Sequence, residues 1–231
     1  MHIPDGFINA GTSAGAALIA AGGVTVAVKK TSQYMDDRQV PIAGLTAAFV
    51  FGVQMLNFPV AAGTSGHLLG GALAAILVGP WAGALCVTVV LVVQAFFADG
   101  GITALGLNVL DMAFVTALGG YAIFFGLRKL LPNERSSVVI ASGIAAAASV
   151  ILSALVFCIQ FAIGANVDLA LGSVFTAMVA VHTLIGLGEG VITAATVGLV
   201  LSVRPDLVHG AKDLETPLGM VPQTSTLKGL S

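Results

Sequence analysis

The segment LALGSVFTAMVAVHTLIGLGEGVITAATVGLVLSV, Leu169 to Val203, decides how this chain is threaded. It is about one and a half times as long as the roughly 20 residues one bilayer crossing needs. Read as two spans, it makes eight crossings in the chain. Read as one long or kinked helix, loosened at Gly186 and Gly188, it makes seven. The choice fixes the side on which Arg204, Lys212 and Lys228 fall.

The other apolar runs are easier to bound. Gly11–Val28 ends at Lys29-Lys30, and Val40–Leu56 is closed by Asn57-Phe58-Pro59. His67–Val78 is short and stopped by Gly79-Pro80; it spans only with tilt or help from its flanks. Trp81–Ala98, Leu105–Leu127 and Val138–Ile163 follow. Hydrophobic residues make up 57 % of the chain and charged residues 9 %, with a mean hydropathy of +1.02. A soluble domain carries about a quarter charged residues, so this is a polytopic membrane protein. The expected fold is an all-α bundle of seven transmembrane helices over residues 1–204, followed by a flexible tail over 205–231.

Charge settles the count and the orientation. With seven spans, Lys29, Lys30, Arg38, Arg128, Lys129, Arg135, Arg204, Lys212 and Lys228, which are all 9 Lys and Arg, share one side. The positive-inside rule makes that side the cytoplasm of a cell-membrane protein, with the C-terminus inside and the N-terminus outside. The outer segments carry Asp5, Asp99 and Asp168 and no basic residue, a field that attracts cations. The net charge of −2 gives no reason to expect a nucleic-acid partner. Cys86 and Cys158 lie inside apolar runs and read as small buried side chains. Asp5 precedes any positive n-region, so no cleavable signal peptide is expected.

The outer N-terminus reads Met1-His2-Ile3-Pro4-Asp5-Gly6. An α-amine, the amide nitrogen of residue 2 and the imidazole of a His at that position can close adjacent chelate rings on one ion. A fourth nitrogen, for which His67 is a candidate, completes a tetragonal site of the kind that favours Ni(II) or Cu(II). The plainer reading of Met1-His2 alone is a polar residue at a frayed end. Before His67 the chain runs Ala61-Ala62-Gly63-Thr64-Ser65-Gly66. Such irregular backbone at membrane depth suits a site lining, although a simple interhelical loop reads the same way.

Further polar residues lie within the spans. Asn108 and Asp111 share a face of the fifth span, and His182 and Glu189 a face of the last. They are candidates for a metal path or for interhelical hydrogen bonds, with contact to a partner subunit a further reading of Glu189. Gln94 and Gln160 read as packing hydrogen bonds, and His209 as a solvated tail residue. The small residues of the first span, Ala10 to Gly23, suit either close internal packing or docking of a partner helix.

Several of these stretches together resemble the NikM/CbiM family, the substrate-capture components of energy-coupling factor transporters for nickel and cobalt. The stretches are Met1-His2-Ile3-Pro4-Asp5-Gly6-Phe7, Gly63-Thr64-Ser65-Gly66-His67, Ala98-Asp99-Gly100-Gly101-Ile102-Thr103-Ala104-Leu105-Gly106 and Gly186-Leu187-Gly188-Glu189-Gly190. The resemblance runs from Met1 to about residue 204. It implies seven helices, an external N-terminus inserted into the bundle, and an ion held by nitrogens alone. The matching ligands are Met1 (α-amine), His2 (amide nitrogen and imidazole) and His67 (imidazole), with Ni2+ or Co2+ as the transported substrate. The Ile-Pro-Asp opening resembles the nickel-type members. Asp111 stands where family members often carry a second Asn. The implied partners are a transmembrane coupling subunit and cytoplasmic ATP-binding subunits, with a small accessory membrane subunit as a further candidate.

The chain contains no Gly-x-x-x-x-Gly-Lys-Ser/Thr loop for nucleotide, so energy must come from another subunit or an ion gradient. A self-sufficient divalent-metal channel or ion-coupled carrier is the alternative, and it needs a continuous polar path. An intramembrane metalloenzyme would need a pair such as His-Glu-x-x-His, which is missing; no enzymatic activity is expected.

Overall fold

Glycines set how closely the helices pack. In the computed structural model, which describes residues 1–37, 39–60 and 65–214, Gly143 and Gly190 face each other across two long helices. A Cβ on Gly143 would lie 3.0 Å from the Gly190 carbonyl oxygen, and one on Gly190 would lie 2.8 Å from the Gly143 carbonyl oxygen. The helices concerned are α6, Arg135–Gly164, and α7, Leu171–Val203. This is the small-residue contact that replaces hydrophobic driving force between helices in lipid. The α7 helix is uninterrupted from Leu171 to Val203, so the stretch folds as one helix.

The remaining helices are α1 (Ala10–Thr31), α2 (Val40–Gln54), α3 (Gly71–Val78), α4 (Pro80–Phe96) and α5 (Leu105–Leu130). Among the described residues α1, α5, α6 and α7 are long and apolar enough to cross a membrane, while α2 and α4 are shorter apolar helices. Leu18, Leu45, Leu184, Val191 and Leu199 point outward from the bundle, as an apolar solvent demands. Local sequence explains the helix ends. Asn9 Oδ1 accepts the Thr12 N–H at 2.9 Å and caps α1. Pro41 and Pro80 occupy the first turns of α2 and α4, where a missing N–H costs nothing. Within α5 the turns widen to π geometry over Val109–Gly119, and Gly71 of α3 rests against Thr116 there.

The third apolar run behaves differently from the sequence expectation. Its helix begins at Gly71, not His67, and all eight of its residues are buried. At 1.5 Å per residue it is about 12 Å long, too short to cross a core of roughly 30 Å. Residues 65–70 enter the bundle as irregular chain, with Ser65-Gly66 paired to Phe58-Pro59 in a two-residue antiparallel ladder. The α3 helix follows.

The helix ends fall into two groups. The Tyr34 ring, just past α1, stacks on His209 at 5.5 Å, and Tyr121 of α5 stacks on the same imidazole at 5.9 Å. Arg128 pairs with Asp213 at 2.8 Å. These contacts gather the ends of α1, α5 and α7 that carry Lys29, Lys30, Arg128, Lys129 and Arg204 at one end of the bundle. They also hold the start of the expected tail: residues 205–214 form two short 3-10 turns, with Val208, Gly210 and Ala211 buried. His209, expected to be solvated, is enclosed by the two tyrosines. Residues 215–231, the rest of that expected tail, lie outside the described residues.

Candidate metal centre

The other end of the bundle receives the N-terminus. Residues 1–9 precede α1 and are drawn inside, so that Met1 and Ile3 are fully buried and His2 is 4 % exposed. The Ile3 N–H donates to Asn108 Oδ1 at 2.8 Å, and Asn108 Nδ2 donates back to the Ile3 carbonyl at 3.2 Å. The Gly101 N–H donates to that same carbonyl at 2.9 Å. At Asp5 the thread turns out, and Oδ1 accepts the Thr103 N–H at 2.7 Å and the Thr103 hydroxyl at 2.5 Å. Those two bonds hold the Asp5 carboxyl below the usual carboxylate range. Phe7 packs on Phe157 and Phe161. The Asn9 N–H then donates to the Gly164 carbonyl at 2.7 Å, and the Asn166 N–H to the Phe7 carbonyl at 3.0 Å.

The thread delivers His2 to His67. His67 Nε2 and His2 Nδ1 are 3.0 Å apart. Each ring is oriented from its far side. His67 Nδ1 lies 2.8 Å from the Leu68 carbonyl oxygen, which only accepts, so Nδ1 carries the proton and Nε2 is bare. His2 Nε2 lies 3.1 Å from Gln94 Oε1. Two ring nitrogens, one of them the bare His67 Nε2, thus face one another in the buried interior. Asp99 Oδ1 lies 3.2 Å from His2 Nδ1. Imidazole–metal bonds of about 2.0–2.1 Å put two nitrogens at right angles about 2.9 Å apart, close to the spacing found here.

The Met1 α-amine lies in the same buried thread. Burial lowers Met1 to about 4, against the pull of Asp111 and Asp99. Burial, and then the neighbouring amine, lowers His2 to about 4. Among the described residues no three His, Cys, Asp or Glu side chains converge as a ligand group.

The loop that carries His67 is held on both sides. Glu189 of α7 accepts the Leu69 N–H at 2.5 Å and the Gly70 N–H at 2.9 Å. Gln54 of α2 donates to the Leu69 carbonyl at 2.7 Å. Glu189 is thus committed inside the bundle and 2 % exposed, which removes the reading of it as a partner contact. Asp111 Oδ1 accepts from Ser153 at 2.9 Å, and His182 Nδ1 donates to the Met178 carbonyl of its own helix at 2.8 Å. Gln94, read from sequence as a packing residue, orients His2 instead. The polar residues buried in apolar runs, Gln54, Gln94 and Asn108, were the signal for these roles. Of the loop motif before His67, Gly63 and Thr64 lie outside the described residues.

Known proteins share this arrangement of chain. The family model of the cobalt uptake substrate-specific transmembrane region, CbiM, matches residues 2–207. A Haloquadratum walsbyi protein assigned to metal transport is 38 % identical over 209 residues, covering 90 % of this chain and 93 % of that one. A fused nickel transport protein NikMN of Rhodobacter capsulatus is 33 % identical over 222 residues, covering 90 % of this chain and 64 % of the fused one. The crystal structure of a truncated transition metal transporter superposes with a TM-score of 0.82 at 32 % identity, covering 87 % of this chain and 99 % of that chain. With a match that spans nearly all its described residues, the chain belongs to the CbiM family of cobalt-uptake substrate-specific transmembrane regions.

Proposed function

We propose that this protein is the substrate-capture membrane component of an energy-coupling factor importer, and that it takes Ni2+ or Co2+ from the outer face. The ion is held by four nitrogens: the Met1 α-amine, the His2 amide and imidazole, and the His67 imidazole. The observation that carries the reading is the pair of buried ring nitrogens, His2 Nδ1 and His67 Nε2, facing each other at 3.0 Å. A deprotonated amide and three further nitrogens give a strong in-plane field, which favours low-spin, square-planar Ni(II). Stability at such a site follows Co(II) below Ni(II) below Cu(II), so selection in the cell rests on geometry and on metal supply.

The N-terminus and the acidic loops face outside, and the end bearing Lys29, Arg128 and Arg204 faces the cytoplasm. With no nucleotide loop in the chain, the energy comes from a transmembrane coupling subunit and ATP-binding subunits. The fused name NikMN of a relative supports a small accessory membrane subunit as a further partner. Titration of purified protein with an unmodified terminus tests the site: a diamagnetic nickel complex with about four light-atom ligands is expected. A six-coordinate, oxygen-rich X-ray absorption spectrum rules the chelate out. Uptake that persists without a co-expressed ATPase rules out the importer.

A further inference from the structure

We propose that Glu189 tunes the His67 donor through a single peptide group, as a positioning residue for the capture site; the inference rests on the ligand set proposed above. A carboxylate inside an apolar bundle is expensive and needs a reason to be there. Both Glu189 oxygens are committed to the chain just after His67, Oε2 to the Leu69 N–H and Oε1 to the Gly70 N–H. The Leu69 N–H and the Leu68 C=O are the two ends of one planar peptide unit. That carbonyl accepts the His67 Nδ1–H at 2.8 Å. Carboxylate, peptide and imidazole therefore stand in series, ending at His67 Nε2, the nitrogen that faces His2.

Hydrogen bonds in such a chain polarise one another at low dielectric. Negative charge on Glu189 draws the Leu69 N–H and leaves the Leu68 oxygen a stronger acceptor. The Nδ1–H bond lengthens toward it, and electron density rises at Nε2. A metal-ligating histidine commonly donates its second N–H to either a carboxylate or a backbone carbonyl, and loss of that partner costs about 10–100-fold in metal affinity. Here the carboxylate acts through the carbonyl. A plain anchor for the loop needs two acceptor oxygens, one for each N–H; the relay needs the charge as well.

The full-length protein with a free N-terminus is titrated with Ni2+ as wild type, E189Q and H67A, and its visible ligand-field band is recorded. Glu189→Gln keeps an acceptor for the Leu69 amide and removes the charge. We expect E189Q, which leaves the Leu68 carbonyl in place, to bind about 10-fold more weakly, the low end of the loss when a ligand's own partner is removed, with its nickel band at longer wavelength, and H67A to lose tight binding. E189Q with wild-type affinity and band position, alongside a defective H67A, overturns the relay and leaves the site standing. An unchanged H67A overturns both. Nitrogen-15 histidine spectra of the wild type decide the matter even if E189Q does not fold. His182, whose Nδ1–H donates to the Met178 carbonyl at the same 2.8 Å, is the internal reference. The His67 Nδ1–H should resonate further downfield than that of His182; an equal shift, or a proton on His67 Nε2, overturns the relay.

Discussion

Asn108 pairs with the backbone of Ile3 in both directions, accepting its N–H at 2.8 Å and donating to its carbonyl at 3.2 Å. One amide side chain in α5 thereby reads the inserted N-terminus as a strand neighbour would, and it fixes the depth at which Met1 and His2 lie. Asn108→Ala leaves the buried Ile3 N–H without a partner, a loss of about 1–3 kcal/mol. Nickel affinity should fall accordingly while helix content by circular dichroism stays unchanged. Wild-type affinity in N108A would show that the thread is held elsewhere.

Met1 is fully buried, so no residue can precede it without displacing the thread. A single residue or a tag added before Met1 is expected to abolish tight nickel binding by isothermal titration. The same tag at the C-terminus is expected to have no effect.

Gly101 is where the loop before α5 touches the thread. A Cβ there would lie 2.4 Å from the Asp5 nitrogen and 2.7 Å from the Pro4 carbonyl carbon. Both are backbone atoms that cannot swing aside. Gly101→Ala should cost about 1–3 kcal/mol by overpacking, and it should show first as lost metal binding. Gly126→Ala, where a Cβ meets nothing within 4 Å, is the matched control.

The spans and the His2–His67 pair were legible in the sequence for a physical reason. Apolar runs declare themselves by composition, and the first three nitrogens of the proposed chelate are adjacent in the chain. What holds them was not legible. Gln94 meets His2 across 92 positions, and Glu189 meets Leu69 across 120, distances at which no local pattern survives. The α3 helix was overextended because His67–Gly70 is as apolar as a helix start. Its peptide groups are spent on Glu189 and Gln54 instead of helical bonds. The docking of 205–214 was hidden by its polar composition, since it rests on two small anchors, Val208 and Ala211, and on one stacked imidazole.

That imidazole makes the docking depend on pH. Burial, with Lys212 adding to it, lowers His209 to about 4. Tyr34 and Tyr121 face the ring, and Arg128, Lys129, Lys212 and Asp213 line the same cavity of about 310 Å³. The unfolded segment takes up a proton near pH 6.5 and the docked one does not. The His209 contribution is therefore complete above about pH 6.5 and is lost as the pH falls from there toward about 4. Once the intrinsic slowing of exchange at lower pH is divided out, hydrogen-exchange protection over 205–214 should fall between pH 7.5 and pH 5 in the wild type. A His209→Phe variant should show no such change, and an equal pH response in both would refute the assignment.

The burial of Met1 and His67 also bears on rates. An ion held between them as proposed would have no solvent-facing side, so its arrival and its departure would both require the chain around it to part. The stays are separate: Asn108 and Gly101 at Ile3, Thr103 at Asp5, Gly164 and Asn166 beyond Phe7. Several would have to loosen together, which would make exchange slow in both directions. A cargo so enclosed would stay for the time the thread stays closed, and whatever opens the thread would set the pace of delivery.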